Sequence, residues 1–275
     1  MENKVININS IFRDITKFPN SAHFKYKLPE TIRNVGYIKV TSLEIGNVNP
    51  TFSDFRNNNT FKIISSSNTD VINIGTGNFT SSIFITLVQD RLDEINTSRG
   101  LDLLIDVDVV SGKILITCST SITVDFSRTG NSEYEGIKYY LGFEKDTYTG
   151  TLITGESVLN FLGVNYNFLR LNRINNLIDH RVPDVFLKLV NDVDKYNTVY
   201  AKGQEYNSKD YVFRSPEDIY EFEVELVDYL GNTLDFKKFD FSFTIEVGYI
   251  YDINLYKKIN NSGVPDGDTR LKYYY

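Results

Sequence analysis

The sequence contains no tryptophan, one cysteine, one methionine, two histidines and six prolines among its 275 residues. A single cysteine, Cys118, excludes a disulfide within the chain, and His23 and His180 are too few for a metal site built from several histidines. No apolar run reaches the roughly 20 residues that a membrane-spanning helix needs. The N-terminal stretch MENKVININS lacks the basic and apolar regions of a secretory signal. We therefore expect assembly in the cytosol, with no metal and no cofactor.

The charge balance argues against nucleic acid as a partner. Acidic residues outnumber basic ones, 36 to 29, which gives a net charge of −7 and a pI of about 5.0. Binding to nucleic acid depends on lysine and arginine side chains that neutralise phosphates. No clear basic cluster is present, and we predict no direct contact with nucleic acid.

Alternating apolar and polar residues dominate the chain and predict β-strands. Phenylalanine and tyrosine supply the entire 14% aromatic content, and both favour half-buried pleated surfaces. In the stretch Phe239–Val247, every second residue is apolar, and Glu221–Val227 alternates in the same way. We predict that these two strands form a hairpin through the turn Asp228–Asn232, with the odd-numbered residues of the second strand facing inward. Many strands of this kind, separated by frequent turns, predict an all-β fold of antiparallel, jelly-roll-type β-sandwiches.

Prolines set several of the predicted strand limits. Pro19 and Pro29 bracket a strand centred on residues 24–28, and a separate strand follows at Tyr37–Ile45. Pro216 similarly separates a strand at Asp210–Phe213 from the strand beginning at Glu221.

One amphipathic helix is predicted near residues 80–96. Its apolar residues recur at steps of three and four: Phe84, Leu87, Val88, Leu92 and Ile95. Thr80, Ser81 and Ser82 are candidate N-caps. The preceding GTGN lacks the third glycine of a phosphate-binding motif, so we interpret it as a turn and not as an anion site.

The polar, turn-rich stretch Gly142–Gly155 is the best candidate for a domain boundary. It predicts an N-terminal sandwich with the helix at 1–148 and a C-terminal sandwich with an extended tail at 149–275. A single composite jelly roll over 1–256 is the alternative.

No catalytic constellation is found, and we predict that the protein is not an enzyme and has no catalytic, cofactor-binding or metal-binding residues. Glu221, Glu223 and Glu225 line one strand face, where a solvated, edge-protecting row explains them better than glycosidase chemistry. Asp106 and Asp108 only partly match a calcium loop. Cys118 lies in phase with Ile114 and Ile116, which predicts a buried thiol rather than a nucleophile.

Several stretches resemble minor capsid and penton-type proteins of large cytoplasmic DNA viruses and related elements. The opening INSIFRDITKFPNSAHFKYKLP resembles their "SRDR…YPNPNDF…L" start, and VTSLEIGNVNPTF resembles "LVSAEIPNT". The stretches SGKILIT and YLGF are similar to "TGKITI" and "LLGF", and DYLGNTLDFKKFDFSFTIEV is similar to "D-x-x-G-N-x-x-D-L-N-G-x-D-F-S-F-x-L-E". The segments occur in the same order over nearly the whole chain. Lys237-Lys238 replaces the family's usual Asn-Gly.

The resemblance implies a jelly-roll structural protein of the virion, without catalytic residues. It implies a minor capsid protein that cements or supports the major capsid capsomers of an icosahedral shell, or alternatively a penton protein. The implied partners are the major capsid protein, other minor capsid proteins and further copies of itself, near an internal membrane that the chain does not span. A carbohydrate-binding sandwich is a different reading, suggested by Lys138-Tyr139-Tyr140, because aromatic rings stack on sugars. Candidate interfaces are the N-terminal arm Met1–Phe18, the Gly142–Gly155 loop and the tail Lys257–Tyr275.

Overall fold

The computed structural model describes residues 2–66, 68–127, 136–161, 165–202, 210–236 and 239–251. The strands are β1 (Glu2–Asn9), β2 (His23–Gly46), β3 (Thr60–Ser65), β4 (Asn68–Asn73), β5 (Leu104–Val107), β6 (Ile114–Asp125), β7 (Thr147–Thr154), β8 (Tyr166–Leu171), β9 (Leu187–Val190), β10 (Thr198–Lys202), β11 (Tyr211–Val227) and β12 (Ser242–Tyr249). The helices are α1 (Ser81–Arg99) and α2 (Ile137–Leu141), and a 3₁₀ turn covers Ser10–Phe12. All strand pairings are antiparallel among the described residues, which confirms the predicted all-β, jelly-roll-like class.

The chain divides into two compact units, and the second is inserted into the first. Unit 1 comprises Met1–Asn49 and Val164–Tyr275, and unit 2 comprises Pro50–Gly163. The boundary predicted at residues 148 and 149 lies within β7, a strand of unit 2. Glycine and threonine in TYTGTLIT suggested a linker by composition, yet threonine also favours strands.

Unit 1 is built on one curled sheet in the order β1-β12-β2-β11-β8-β9, with β10 also paired to β2. The central strand β2 pairs with β12 and β10 along its C-terminal part and with β11 along its N-terminal part. Its pairing with β11 shifts register three times. These shifts let one long strand bend and take part in two regions of the sheet.

Prolines lie inside the bent strands and do not end them. Pro29 belongs to β2 and Pro216 to β11, so the predicted breaks at both positions are wrong. Both prolines fall where the β2–β11 register is interrupted. A proline has no N–H to donate to a sheet, and an interruption in the pairing removes the need for one.

The predicted hairpin between β11 and β12 does not form, because β2 lies between these two strands. The turn itself is present: the carboxylate of Asp228 accepts hydrogen bonds from the N–H groups of Leu230 and Asn232, both at 2.9 Å, and Gly231 has φ +88°. Alternation in the sequence therefore identified both strands, but it could not identify their partners.

The core of unit 1 contains the inward residues of β2, β11 and β12. Phe241, Phe243, Ile245 and Val247 are at most 3% exposed, as predicted, whereas Phe239 is 56% exposed. The prediction for Phe239 is wrong, because this residue lies three positions before β12, in a turn where its N–H donates to Phe236 O at 2.7 Å. A smaller apolar cluster contains Phe168, Val182, Val185 and Val227.

Unit 2 contains a five-stranded sheet in the order β4-β3-β6-β5, with β7 paired to β6. Helix α1 packs against β4 and β5 and buries Phe84, Val88, Leu92 and Ile95, four of the five residues predicted for its apolar face. The Thr80 side chain accepts a hydrogen bond from Ile83 N–H at 3.3 Å, which makes it the N-cap. The short helix α2 was not predicted. The turn between β5 and β6 spans residues 108–113.

Candidate interaction site

A buried arginine joins the beginning of unit 1 to the segment that enters β12. The 3₁₀ turn after β1 is capped by Asn9, whose side chain accepts from Ile11 N–H at 2.9 Å. Arg13 follows this turn, and its side chain is only 4% exposed. Asp240 lies two residues before β12. The two charged groups come from opposite ends of the sequence.

The Arg13 guanidinium has an acceptor on each of its nitrogens. Nε donates to Phe18 O at 2.9 Å and Nη2 to Pro19 O at 3.3 Å. Nη1 donates to Ser10 O at 2.8 Å and to Asp240 Oδ1 at 2.5 Å. The planar fork of arginine suits several acceptors in fixed directions, which a lysine ammonium on a flexible stem does not reproduce.

Serine hydroxyls reinforce this contact. Ser10 is fully buried. Its Oγ donates to Asp240 Oδ1 at 2.8 Å and accepts from Phe241 N–H at 2.9 Å. Ser21 Oγ donates to Phe239 O. The turn at residues 10–21 is therefore fixed to the segment before β12 by backbone and side-chain bonds.

Four exposed apolar side chains lie in the segments that the Arg13–Asp240 contact joins. Ile11, Phe12, Ile15 and Phe239 are 53%, 80%, 61% and 56% exposed. We call these four residues the apolar tip. Exposed apolar groups that form a contiguous patch mark a contact with another protein, and these four residues are the candidates for such a patch in unit 1. The sequence did not identify either phenylalanine as a contact residue. The alternating pattern assigned Phe239 to the core, and Phe12 was included only as part of the segment Met1–Phe18.

The three interfaces predicted from composition have different outcomes. The segment Met1–Phe18 contains the apolar tip, but Glu2–Asn9 is strand β1 and not a free arm. Most of Gly142–Gly155 is not a loop, because Thr147–Thr154 forms β7. The tail Lys257–Tyr275 lies outside the described residues.

The row of glutamates on β11 is paired with basic side chains. Glu221 and Glu223 lie 3.3 Å and 3.7 Å from Lys25 Nζ, and Glu223 also lies 3.3 Å from His23 Nε2. Arg170 Nη1 donates to Glu225 at 3.0 Å. The prediction of an edge row is wrong, because β11 pairs with β2 on one side and with β8 on the other. Hydrogen bonding to Glu221 raises the pKa of Lys25.

The other candidate residues have structural partners. Asp108 accepts from Val110 N–H and Ser111 Oγ and closes its own turn, and these bonds lower its pKa. Cys118 is 5% exposed, as predicted, and its Sγ lies 3.2 Å from Asp102 Oδ1. Among the described residues, no group of three or more histidine, cysteine, aspartate or glutamate side chains could hold a metal ion. No described helix combines the length and hydropathy that crossing a membrane requires.

The tyrosines considered for sugar stacking do not form a platform. Tyr140 is 1% exposed and packs against Phe52 with ring centroids 5.1 Å apart. Lys138 Nζ contacts Asp146 Oδ1 at 2.5 Å. Of the two tyrosines, Tyr139 is half-exposed and Tyr140 is buried.

Comparisons with known proteins show a similarity in structure. No protein-family model matches the chain, and no curated protein matches it. A crystal structure of the selenomethionine-labelled mavirus penton protein aligns with a TM-score of 0.48 and 12% identity, over 90% of this chain and 100% of that one.

Proposed function

We propose that this protein is a structural component of a virus particle, a minor capsid protein that cements or supports the major capsid capsomers of an icosahedral shell. Its work is non-enzymatic and consists of contacts with the major capsid protein, with other minor capsid proteins and with further copies of itself. It is assembled in the host cytoplasm and resides in the virion.

The observation that carries the proposal is the meeting of the first and last resembling segments at the Arg13–Asp240 contact. IFRD supplies the arginine and DFSF the aspartate, although 227 positions separate them in the sequence. Their contact presents the apolar tip on a fixed turn. Two family-like segments that meet at one contact and carry exposed apolar side chains fit a protein whose function is to bind a neighbouring subunit.

The energetic scale of such a contact is sufficient for a cement protein. Burial of apolar surface contributes about 25 cal/mol per Å², so a fully buried phenylalanine or isoleucine contributes roughly 1.5–3 kcal/mol. A shell contains many copies, and simultaneous contacts multiply weak individual affinities. The tip therefore needs no large area to hold a subunit in an assembled shell.

Quantitative mass spectrometry of purified particles tests the proposal. We expect the chain at a fixed ratio to the major capsid protein after density-gradient purification and after a protease wash that removes adsorbed proteins. Its absence from particles, in cells that contain the protein, would refute a virion role.

The alternative within the same class is a penton protein at the fivefold vertices. Native mass spectrometry of the isolated protein separates the two: a stable pentamer supports the penton, and a monomer that appears in the shell in large copy number supports the cement protein.

A further inference from the structure

The sheet of unit 2 buries one of its two faces in the half built from β5, β6 and β7. Ile105, Ile116 and Ile153 lie opposite one another across these three strands, and all three are buried. Successive side chains of a strand point to opposite faces of the sheet. The neighbours of these isoleucines along each strand therefore lie on the outer face.

Leucine side chains lie close together on this outer face. Leu104 of β5 and Leu152 of β7 are both directly opposite Thr117 of β6, on its two sides, and they are 59% and 61% exposed. Leu115 is half-buried and lies two residues before Thr117 on the same face of β6. Directly opposite residues have Cβ atoms about 4.5–5.5 Å apart and diagonal neighbours about 7–8 Å, so these side chains form one contiguous surface. We call Leu104, Leu115 and Leu152 the outer leucine patch.

The other half of the outer face carries polar side chains that bind one another. Thr123 and Thr149 are directly opposite, and their hydroxyl oxygens are 2.8 Å apart. Lys62 and Asp125 are also opposite, with Lys62 Nζ 3.7 Å from Asp125 Oδ2. The outer leucine patch is therefore a local feature of the sheet, since the rest of the same face is polar and internally paired.

The charge of unit 2 indicates the chemistry of a protein that would cover the patch. Pro50–Gly163 contains 14 acidic and 8 basic residues, a net charge of −6 out of the −7 of the whole chain. Asp106 is directly opposite Leu115; it accepts from Val107 N–H at 2.7 Å and has no basic partner among the described residues. Interfaces bring opposite charges together, and like charges facing each other are unfavourable. Lysine and arginine complement this surface, whereas unit 2 of a second copy and an anionic lipid surface do not.

We propose that the outer leucine patch docks a different protein of the particle, one that presents an apolar surface bordered by lysine or arginine side chains. Its apolar groups cover the three leucines, and one of its cations faces Asp106. The proposal rests on the proposed function, and it gives unit 2 a contact surface separate from the apolar tip of unit 1.

Photo-crosslinking in assembled particles tests the proposal. The photoreactive residue p-benzoylphenylalanine replaces Leu152 in the full chain, and purified particles are irradiated and analysed by mass spectrometry. The same residue in place of Thr149, on the polar half of the same face, is the matched control. We expect position 152, and not position 149, to crosslink to one other protein of the particle. Crosslinks from position 152 only to a second copy of this chain or to lipid, or no crosslink in particles that contain the chain, would overturn the proposal.

Incorporation in competition with the wild-type chain tests the two parts of the surface. A variant with both Leu104→Thr and Leu152→Thr keeps strand-forming residues but loses apolar area, and should be incorporated roughly tenfold less, or lower. Asp106→Lys should also be incorporated less, whereas Thr149→Ser should match the wild type. A urea midpoint equal to that of the wild type shows that each fold is intact. Normal incorporation of the leucine variant would overturn the patch, and normal incorporation of Asp106→Lys would overturn the basic partner. Absence of the wild-type chain from particles would instead refute the proposed function.

Discussion

Replacement of Arg13 by alanine is expected to destabilise unit 1 strongly. The change removes a guanidinium that bonds Ser10 O, Phe18 O and Pro19 O as well as Asp240. Removing one partner of a buried ion pair costs about 3–5 kcal/mol. Asp240 is 30% exposed, so water can solvate its carboxylate in the variant. We therefore expect a loss of about 2–3 kcal/mol in the free energy of unfolding.

The expected loss is measurable by urea denaturation followed by tyrosine fluorescence, since the chain has 19 tyrosines and no tryptophan. For a unit of this size, each kcal/mol corresponds to about 2–4 °C in melting temperature, so the variant should melt roughly 4–12 °C lower. Arg13→Lys keeps the charge but loses the fork, and should lose nearly as much stability as Arg13→Ala.

A double-mutant cycle with Asp240→Asn isolates the contact between the two side chains. Groups in direct contact show coupling energies of about 0.5–3 kcal/mol, whereas independent sites add within about 0.5 kcal/mol. An Arg13→Ala variant within 0.5 kcal/mol of the wild type, or strictly additive single variants, would refute the role we assign to this contact.

Three further variants address the tip, the acid stability of unit 2 and one glycine. Phe12→Asp should leave the free energy of unfolding within about 0.5 kcal/mol of the wild type but reduce incorporation into particles. Ile178→Asp, at a 91% exposed site between β8 and β9, is the control and should incorporate normally; equal incorporation of both variants would contradict a role for the tip. Hydrogen bonding to Ser127 holds the pKa of Asp125 below its usual range, so its stabilisation is complete above about pH 4 and is lost as the pH falls through the lowered pKa. Asp125→Asn should therefore weaken the pH dependence of stability below pH 4, and an unchanged acid limb would count against this assignment. At Gly248, a Cβ would come within 2.0 Å of the Tyr37 ring, so Gly248→Ala should cost about 1–3 kcal/mol by denaturation. In a Tyr37→Ala background the same change should cost much less, and an equal cost would show that the ring is not the obstacle.

Local pattern predicted the elements whose burial follows a simple period. The buried face of α1 and the inward residues of β12 from Phe241 onward agree with the sequence, because each period places alternate or every third and fourth residue on one side. Cys118 was assigned to the core by the same reasoning. The turn at Asp228–Asn232 was also predicted from the sequence, and local hydrogen bonds to the Asp228 side chain close it.

Partnership between distant segments was not predictable in this way. The alternation in β11 and β12 is equally satisfied by a hairpin and by the observed order with β2 between them. Pro29 and Pro216 indicated strand ends, because a proline has no N–H to donate to a neighbouring strand. The sequence does not show that the register shifts at both positions, where no such donor is needed. The glutamates of β11 were interpreted as a solvated edge because the basic residues beside them come from β2 and β8.

The sequence by itself determined the strand-rich class, the helix, the turns and the buried face of most elements, since these depend on side-chain periodicity and local hydrogen bonds. Tertiary structure decided the order of the strands, the insertion of unit 2 within unit 1 and the bend of β2. It also decided that Arg13 meets Asp240 and that Phe239 joins the apolar tip. These features depend on which distant edges satisfy one another's backbone groups, and a one-dimensional pattern of apolar residues does not specify that choice.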